Sequence, residues 1–182
     1  MGIAEFLASL EASSLASKIR NSLYLFPLIE SSHVIGLTMV FGTIAIVDLS
    51  LLGIASTRRP FTRIASDILK WTWAAFALTA TTGLLMFITN ASVYYHNFYF
   101  RSKMALLALS GINMLMFELT AARSVHRWDK DSAAPLAGRT VAAVSLVLWI
   151  SIIFLGRWIG FTTTRTDSKP DTDVNIEELL PK

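Results

Sequence analysis

Residues 27–52 read PLIESSHVIGLTMVFGTIAIVDLSLL, an apolar run that carries three titratable side chains, Glu30, His33 and Asp48. A helix turns ~100° per residue, so Glu30 and Asp48, 18 positions apart, share one face. His33, Leu37, Phe41 and Ile44 fall within about 60° of that face. A run of about 20 apolar residues is long enough to cross a hydrocarbon layer. Ionisable groups in such a helix are costly in lipid and turn toward a bundle interior or a wet cavity. The stretch therefore reads as a membrane-spanning helix with a polar spine.

The composition agrees. Of 182 residues, 53% are hydrophobic and 16% charged, against about 25% charged in a soluble domain. Mean hydropathy is +0.53. The absence of cysteine excludes disulfides, thiolate metal sites and covalent haem attachment. The net charge of +3 is small, and no basic run or glycine-rich phosphate loop supports nucleic-acid or nucleotide binding.

Outward from the first run, three more candidate spans appear, roughly Ile68 to Ala91, Lys103 to Val125 and Thr140 to Phe161. Pro27 suits a first helical turn, and the first span ends between Gly53 and Thr57. Trp71 and Trp73 suit a membrane interface. Thr79, Thr81, Thr82 and Gly83 allow close helix approach and interhelical hydrogen bonds. Residues 90–103 form an aromatic interfacial connection containing His96. Residues 1–22 carry Ile3, Phe6, Leu7 and Leu10 at helical spacing. Either an amphipathic helix on the membrane surface or a partly ordered tail accounts for them. The expected organisation is an N-terminal segment 1–22, an all-α integral membrane four-helix bundle 23–162, and a polar, disordered tail 163–182.

Basic residues set the orientation. The first connection holds Arg58, Arg59, Arg63 and Lys70, and the third Arg123, Arg127, Lys130 and Arg139. The second holds only Arg101 and Lys103. Positive-inside topology then leaves both termini outside, periplasmic in a bacterial inner membrane. Asp48 lies 15 positions beyond His33, and Glu118 15 beyond Lys103. Both carboxylates should therefore reach the inner interface, about 22 Å down. An ion-pair cluster with Lys70 and Arg123, or a proton or ion relay involving Asn113, are the two readings of this end.

The outer end is richer. Glu30, His33, Asn90, His96, Arg101, Lys103 and Arg157 should lie near one membrane face, with Met86 and Met104 at comparable depth. Glu30 and Arg157 are an expected ion pair. His33 has three readings: a histidine hydrogen-bonded across the bundle, an axial haem ligand paired with His96, Met86 or Met104, or a copper site built from the same four residues. In the haem reading, Arg101 or Arg157 holds a propionate. His126 reads as a plain interface residue.

The segments ESSHVIGLTMVFGTIAIVDLSLLG, WTWAAF, FRSKM, SGINMLMFE and GRWIGF together resemble an uncharacterised family of small bacterial four-helix membrane proteins, over roughly residues 24–161. More remotely, the layout resembles the cytochrome b561 and copper-resistance D-type membrane domains. A two-haem core of the b561 type needs four helix-borne histidines, and this chain has three in all. That departure excludes two bis-histidine haems. Glu118 stands where a histidine would have strengthened a haem reading.

Three functions follow as expectations. The first is a small inner-membrane subunit that anchors a partner or carries one b-type haem between a quinol and an external acceptor. The second is a metal- or proton-transport protein using Glu30, His33, Asp48 and Glu118. The third is a structural membrane protein, as a homo-oligomer or a subunit of a complex. No nucleophile–base pattern or HExxH motif supports a self-contained enzyme.

Overall fold

The computed structural model describes residues 2–55, 61–120, 123, 125 and 134–167. Among these are seven helices: α1 (Ile3–Glu11), α2 (Ser14–Asn21), α3 (Leu25–Leu51), α4 (Phe61–Thr89), α5 (Ala91–His96), α6 (Phe98–Leu119) and α7 (Leu136–Asp167). Four stretches are long and apolar enough to cross a membrane: Leu25–Leu51, Phe61–Thr89, Phe98–Leu119 and Leu136–Thr162. The protein is an all-α, multi-pass membrane protein. The outward sides fit that reading: Val34, Trp71, Leu84, Ile112, Val147 and Phe154 are each more than half exposed. Apolar surface so extensive would promote association in water and is matched by lipid.

Local chemistry sets the helix limits. Pro27 sits in the first turn of α3, and the Ser22 hydroxyl accepts from Leu25 N–H at 3.2 Å. At the other end Gly53 adopts φ 76°, with Gly53 N–H to Ser50 O at 3.0 Å and Ile54 N–H to Leu49 O at 2.9 Å. This left-handed stop satisfies carbonyls that the helix leaves open. Gly53→Val is expected to lower stability by about 1–2 kcal/mol, and Gly53→Asn by much less. Thermal unfolding in detergent checks both.

Three spans differ in their boundaries from the sequence expectation. The second span begins at Phe61 rather than near Ile68. Arg63, Ser66, Asp67 and Lys70 are exposed along this first part of α4, while Phe61 packs on Phe117 at 5.9 Å. The helix thus runs on as an amphipathic piece. The third span runs Phe98–Leu119, starting and ending earlier than expected. Its start is set by Asn97, whose side chain accepts from Tyr99 N–H at 2.9 Å and Phe100 N–H at 3.2 Å. The fourth continues to Asp167, so residues 163–167 are helical rather than tail. Arg58, Arg59, His126, Arg127, Lys130 and the tail from 168 lie outside the described residues.

Helix α3 packs on both α4 and α7, and α6 packs on α7. Val40, Ala75, Trp149 and Ile152 form the central layer, with Leu37, Phe41, Ile44, Leu106 and Leu107 against it. This is the apolar side of the spine read in residues 27–52. A second layer, Leu51 and Ala142 with Val47, Phe61 and Phe117, closes one end.

The N-terminal segment is neither a single helix nor a loose tail. Helices α1 and α2 dock on the α4–α5 corner through buried Leu7, Ala16 and Ile19. Arg20 donates to Thr89 O at 2.6 Å and to Glu11 O at 3.0 Å. The Glu11 carboxylate in turn accepts from Ser92 N–H at 2.6 Å. Two charges thus satisfy a carbonyl at the end of α4 and an amide at the start of α5. Outward from this clamp, Ile3, Phe6 and Leu15 are exposed, as an interfacial face requires.

Candidate functional site

Polar groups gather at two ends of α3, around His33 and around Asp48. Their separation of 15 residues is about 22 Å of helix, filled by the Val40–Trp149 layer.

At the first end, His33 is half-buried against α4. Its Nδ1 lies 3.0 Å from Thr79 O and 3.1 Å from Thr82 Oγ1. A carbonyl only accepts, so Nδ1 carries the hydrogen and donates it. The Thr82 hydroxyl spends its own hydrogen on Leu78 O, at 2.7 Å, and so accepts from the ring as well. Nε2 is left as the nitrogen with a lone pair. This is the tautomer that orients a ligating or proton-accepting histidine. Gly83 makes room for the ring: a Cβ there would lie 3.0 Å from His33 Cε1. The expectation of close approach and hydrogen bonding along Thr79, Thr82 and Gly83 is met at these three positions.

Lys103 is close enough for its charge to act on His33. Its ammonium lies along α7 at Gly156, where a Cβ would sit 3.3 Å from Nζ. Among the described residues no carboxylate pairs with it.

Most of the other residues expected here are exposed. His96 is exposed at the end of α5, its Nδ1 2.8 Å from Ser92 O. Met104 is 50% exposed, while Met86 is partly buried one turn beyond Thr82 on α4. Arg101 and Asn90 are exposed. Arg157 is exposed and lies over the Phe161 ring at 5.1 Å. The expected Glu30–Arg157 pair is not formed. Glu30 is exposed and acts instead on Tyr94 of α5, whose phenol is raised above its ordinary value by burial first and by that negative charge second. Tyr94 belongs to an aromatic cluster with Phe87 and Phe100, centroids 5.5–6.4 Å apart, which joins the aromatic connection to α4. Among the described residues no three His, Asp or Glu side chains gather as a metal cluster.

At the second end, Asp48 is 6% exposed. The Ser145 side chain of α7 lies beside it, close enough to act on the carboxyl. Asp48 Oδ2 is buried, with no hydrogen-bond partner among the described residues. Asn113 of α6 is buried beside the same stretch of α7, donating from Nδ2 to Val141 O at 3.1 Å. Val141 and Ser145 are one helical turn apart, so Asp48 and Asn113 flank one turn of α7.

Glu118 does not join them. Asn113 and Phe117 turn inward one helical turn apart, and the next position, ~100° round, is exposed. Lys70 and Arg123 are exposed too, and among the described residues no ion pair ties them to Asp48. The ion-pair cluster expected at this end is replaced by a carboxyl, a hydroxyl and an amide. Ser145 was missed because a lone serine in an apolar span carries no periodic signal. Lys103 was placed at the right end, but its turn toward His33 depends on the notch at Gly156.

No curated protein and no solved structure shows significant similarity to the chain. Residues 12–162 match DUF6644, a family of unknown function, and the chain belongs to that family.

Proposed function

We propose that this protein is a small electron-transfer or partner-anchoring subunit of a bacterial inner membrane, with both termini on the periplasmic side. His33 is the side chain that meets the redox group. The observation that carries this reading is the Nδ1–H donated to Thr79 O, which fixes the ring and leaves Nε2 a lone-pair donor inside the bundle.

One b-type haem is the candidate group, supported further by the remote likeness to the b561 layout. His33 fits it as an axial ligand, and the nearby Lys103 would balance a propionate. His96 and Met104 fit less well as a second ligand, since both are exposed and neither is turned to His33. A bound haem would supply one-electron chemistry. The protein's own part is to hold the ring, exclude water through the apolar layer beneath it and offer a positive charge. A quinol and an external acceptor are the proposed exchange partners, and the lipid-facing surface leaves room for a second copy or a larger complex. Copper held by His33 with Met86 is the alternative occupant.

Reduced-minus-oxidised absorption spectra of protein purified from haem-supplemented cells test the reading. A haem signal of at most one per chain, lost in His33→Ala while the protein still accumulates in membranes, is expected. Fully expressed protein with no haem and no copper rejects it.

A further inference from the structure

We propose that Asp48, Ser145 and Asn113 form a binding site for one monovalent cation, a proton or a sodium ion, at the end of α3 remote from His33. The site is independent of any group on His33.

The argument begins with an orphaned atom. Asp48 is 6% exposed, and its Oδ2 has no hydrogen-bond partner among the described residues. A buried carboxylate oxygen without a partner is strongly disfavoured, more so in a bundle surrounded by lipid. A positive charge would satisfy it, and among the described residues no side chain supplies one. Among the described residues the charged groups at this end are Arg63, Asp67 and Lys70 of α4, Glu118 of α6, Arg123 beyond it and Arg139 of α7, and all are exposed.

The surrounding donors suit a small hard cation. The Ser145 hydroxyl lies beside Asp48 and has oxygen lone pairs to offer. Asn113 has its NH2 fixed against Val141 O, because a carbonyl only accepts. That fixes the amide the other way round, with Oδ1 as an acceptor that has no partner among the described residues. The candidate donors are one carboxylate, the Ser145 hydroxyl and the Asn113 amide oxygen, the last two from positions on or against one turn of α7. Oxygen donors favour hard ions over soft ones. One negative charge matches one positive charge, whereas a divalent ion would leave an uncompensated charge in the bundle. The proton needs only Oδ2; sodium uses all three oxygens.

The test uses full-length protein in lipid nanodiscs. Thermal unfolding is measured in sodium chloride and in choline chloride at equal ionic strength. Infrared difference spectra over a pH titration follow the carboxylic-acid C=O band. A saturable stabilisation by sodium over choline, absent in Asp48→Asn, assigns sodium. Equal stability in the two salts, with a carboxylic-acid band that titrates in the parent and is missing in Asp48→Asn, assigns the proton. Ser145→Ala, which keeps the carboxyl, should weaken sodium binding about tenfold or, for the proton, displace the titration of the acid band, and serves if Asp48→Asn does not fold. Equal stability in both salts together with no titrating acid band overturns the proposal. So does either signal persisting unchanged in Asp48→Asn or Ser145→Ala.

Discussion

Gly36→Leu is expected to separate α3 from α4 and to lower stability by about 1–3 kcal/mol, the usual range for overpacking. Gly36 is buried against α4. A Cβ at this position would lie 2.5 Å from Thr79 Oγ1, 3.4 Å from Ala75 O and 3.4 Å from Leu78 Cδ2. The hydroxyl cannot simply give way, because it donates to Ala75 O at 2.8 Å within its own helix. Of the other two neighbours Leu78 Cδ2 is a movable side-chain end, but Ala75 O is backbone, which moves only with the whole helix. In lipid no hydrophobic effect drives the helices together, so close packing of small residues carries the contact. Because the same turn of α4 carries the Thr79 carbonyl that holds His33, Gly36→Leu should also loosen the His33 ring. Gly36→Ala should produce a smaller loss. Thermal unfolding in detergent measures both, and a Gly36→Leu protein as stable as its parent would place the α3–α4 contact elsewhere.

Arg20→Ala is expected to release α1 and α2 from the bundle without unfolding the four spans. Arg20 meets Thr89 O at 2.6 Å, at a residue 1% exposed. Losing the guanidinium leaves that carbonyl buried and unpaired at the end of α4. Hydrogen bonds to charged groups contribute about 1.5–3 kcal/mol. Arg20 itself is exposed, so solvent reduces this to about 1 kcal/mol. That shifts the docked-to-released ratio about fivefold. Glu11→Ala removes the acceptor for Ser92 N–H at 2.6 Å and should act in the same direction. Limited proteolysis reads the release as faster cleavage within residues 1–22, with the remaining chain intact. Unchanged cleavage in the double variant would show that Leu7, Ala16 and Ile19 hold the pair unaided.

Hydrophobic length and periodicity made the four spans legible in the sequence, and the run 27–52 carried most of that signal. Its Leu37, Phe41 and Ile44 do face the core, as their helical phase requires. Boundaries were less legible. Arg63 and Asp67 looked like a loop, yet both lie on the exposed side of a continuing helix. The capping role of Asn97 was hidden inside an aromatic run. Of the candidate site residues, His33 and Asp48 share one helix, so geometry alone placed them. The others needed the pairing of different helices. Glu118 and Asp48 matched in depth but not in rotation, and a sequence gives depth far better than rotation. Arg157 was read as a partner for Glu30 by proximity of ends, but the Phe161 ring four residues on is its nearer neighbour. Ser145 carried no signal until α7 was packed on α3.

The central claim is that α3 turns Val40, Asp48 and Leu51 into a bundle while Val34, Ile35 and Ile46 meet lipid. The native chain has no cysteine, so single cysteines can be placed along α3 without further change. Spin labels on these cysteines, in protein held in bilayers, report collisions with oxygen, which concentrates in lipid, and with a water-soluble nickel complex. High oxygen collision at positions 34, 35 and 46, with low collision from both reagents at 40, 48 and 51, is the predicted pattern. Nickel collision at 40 and 48 as strong as at the exposed turn residue Ile54 would contradict it.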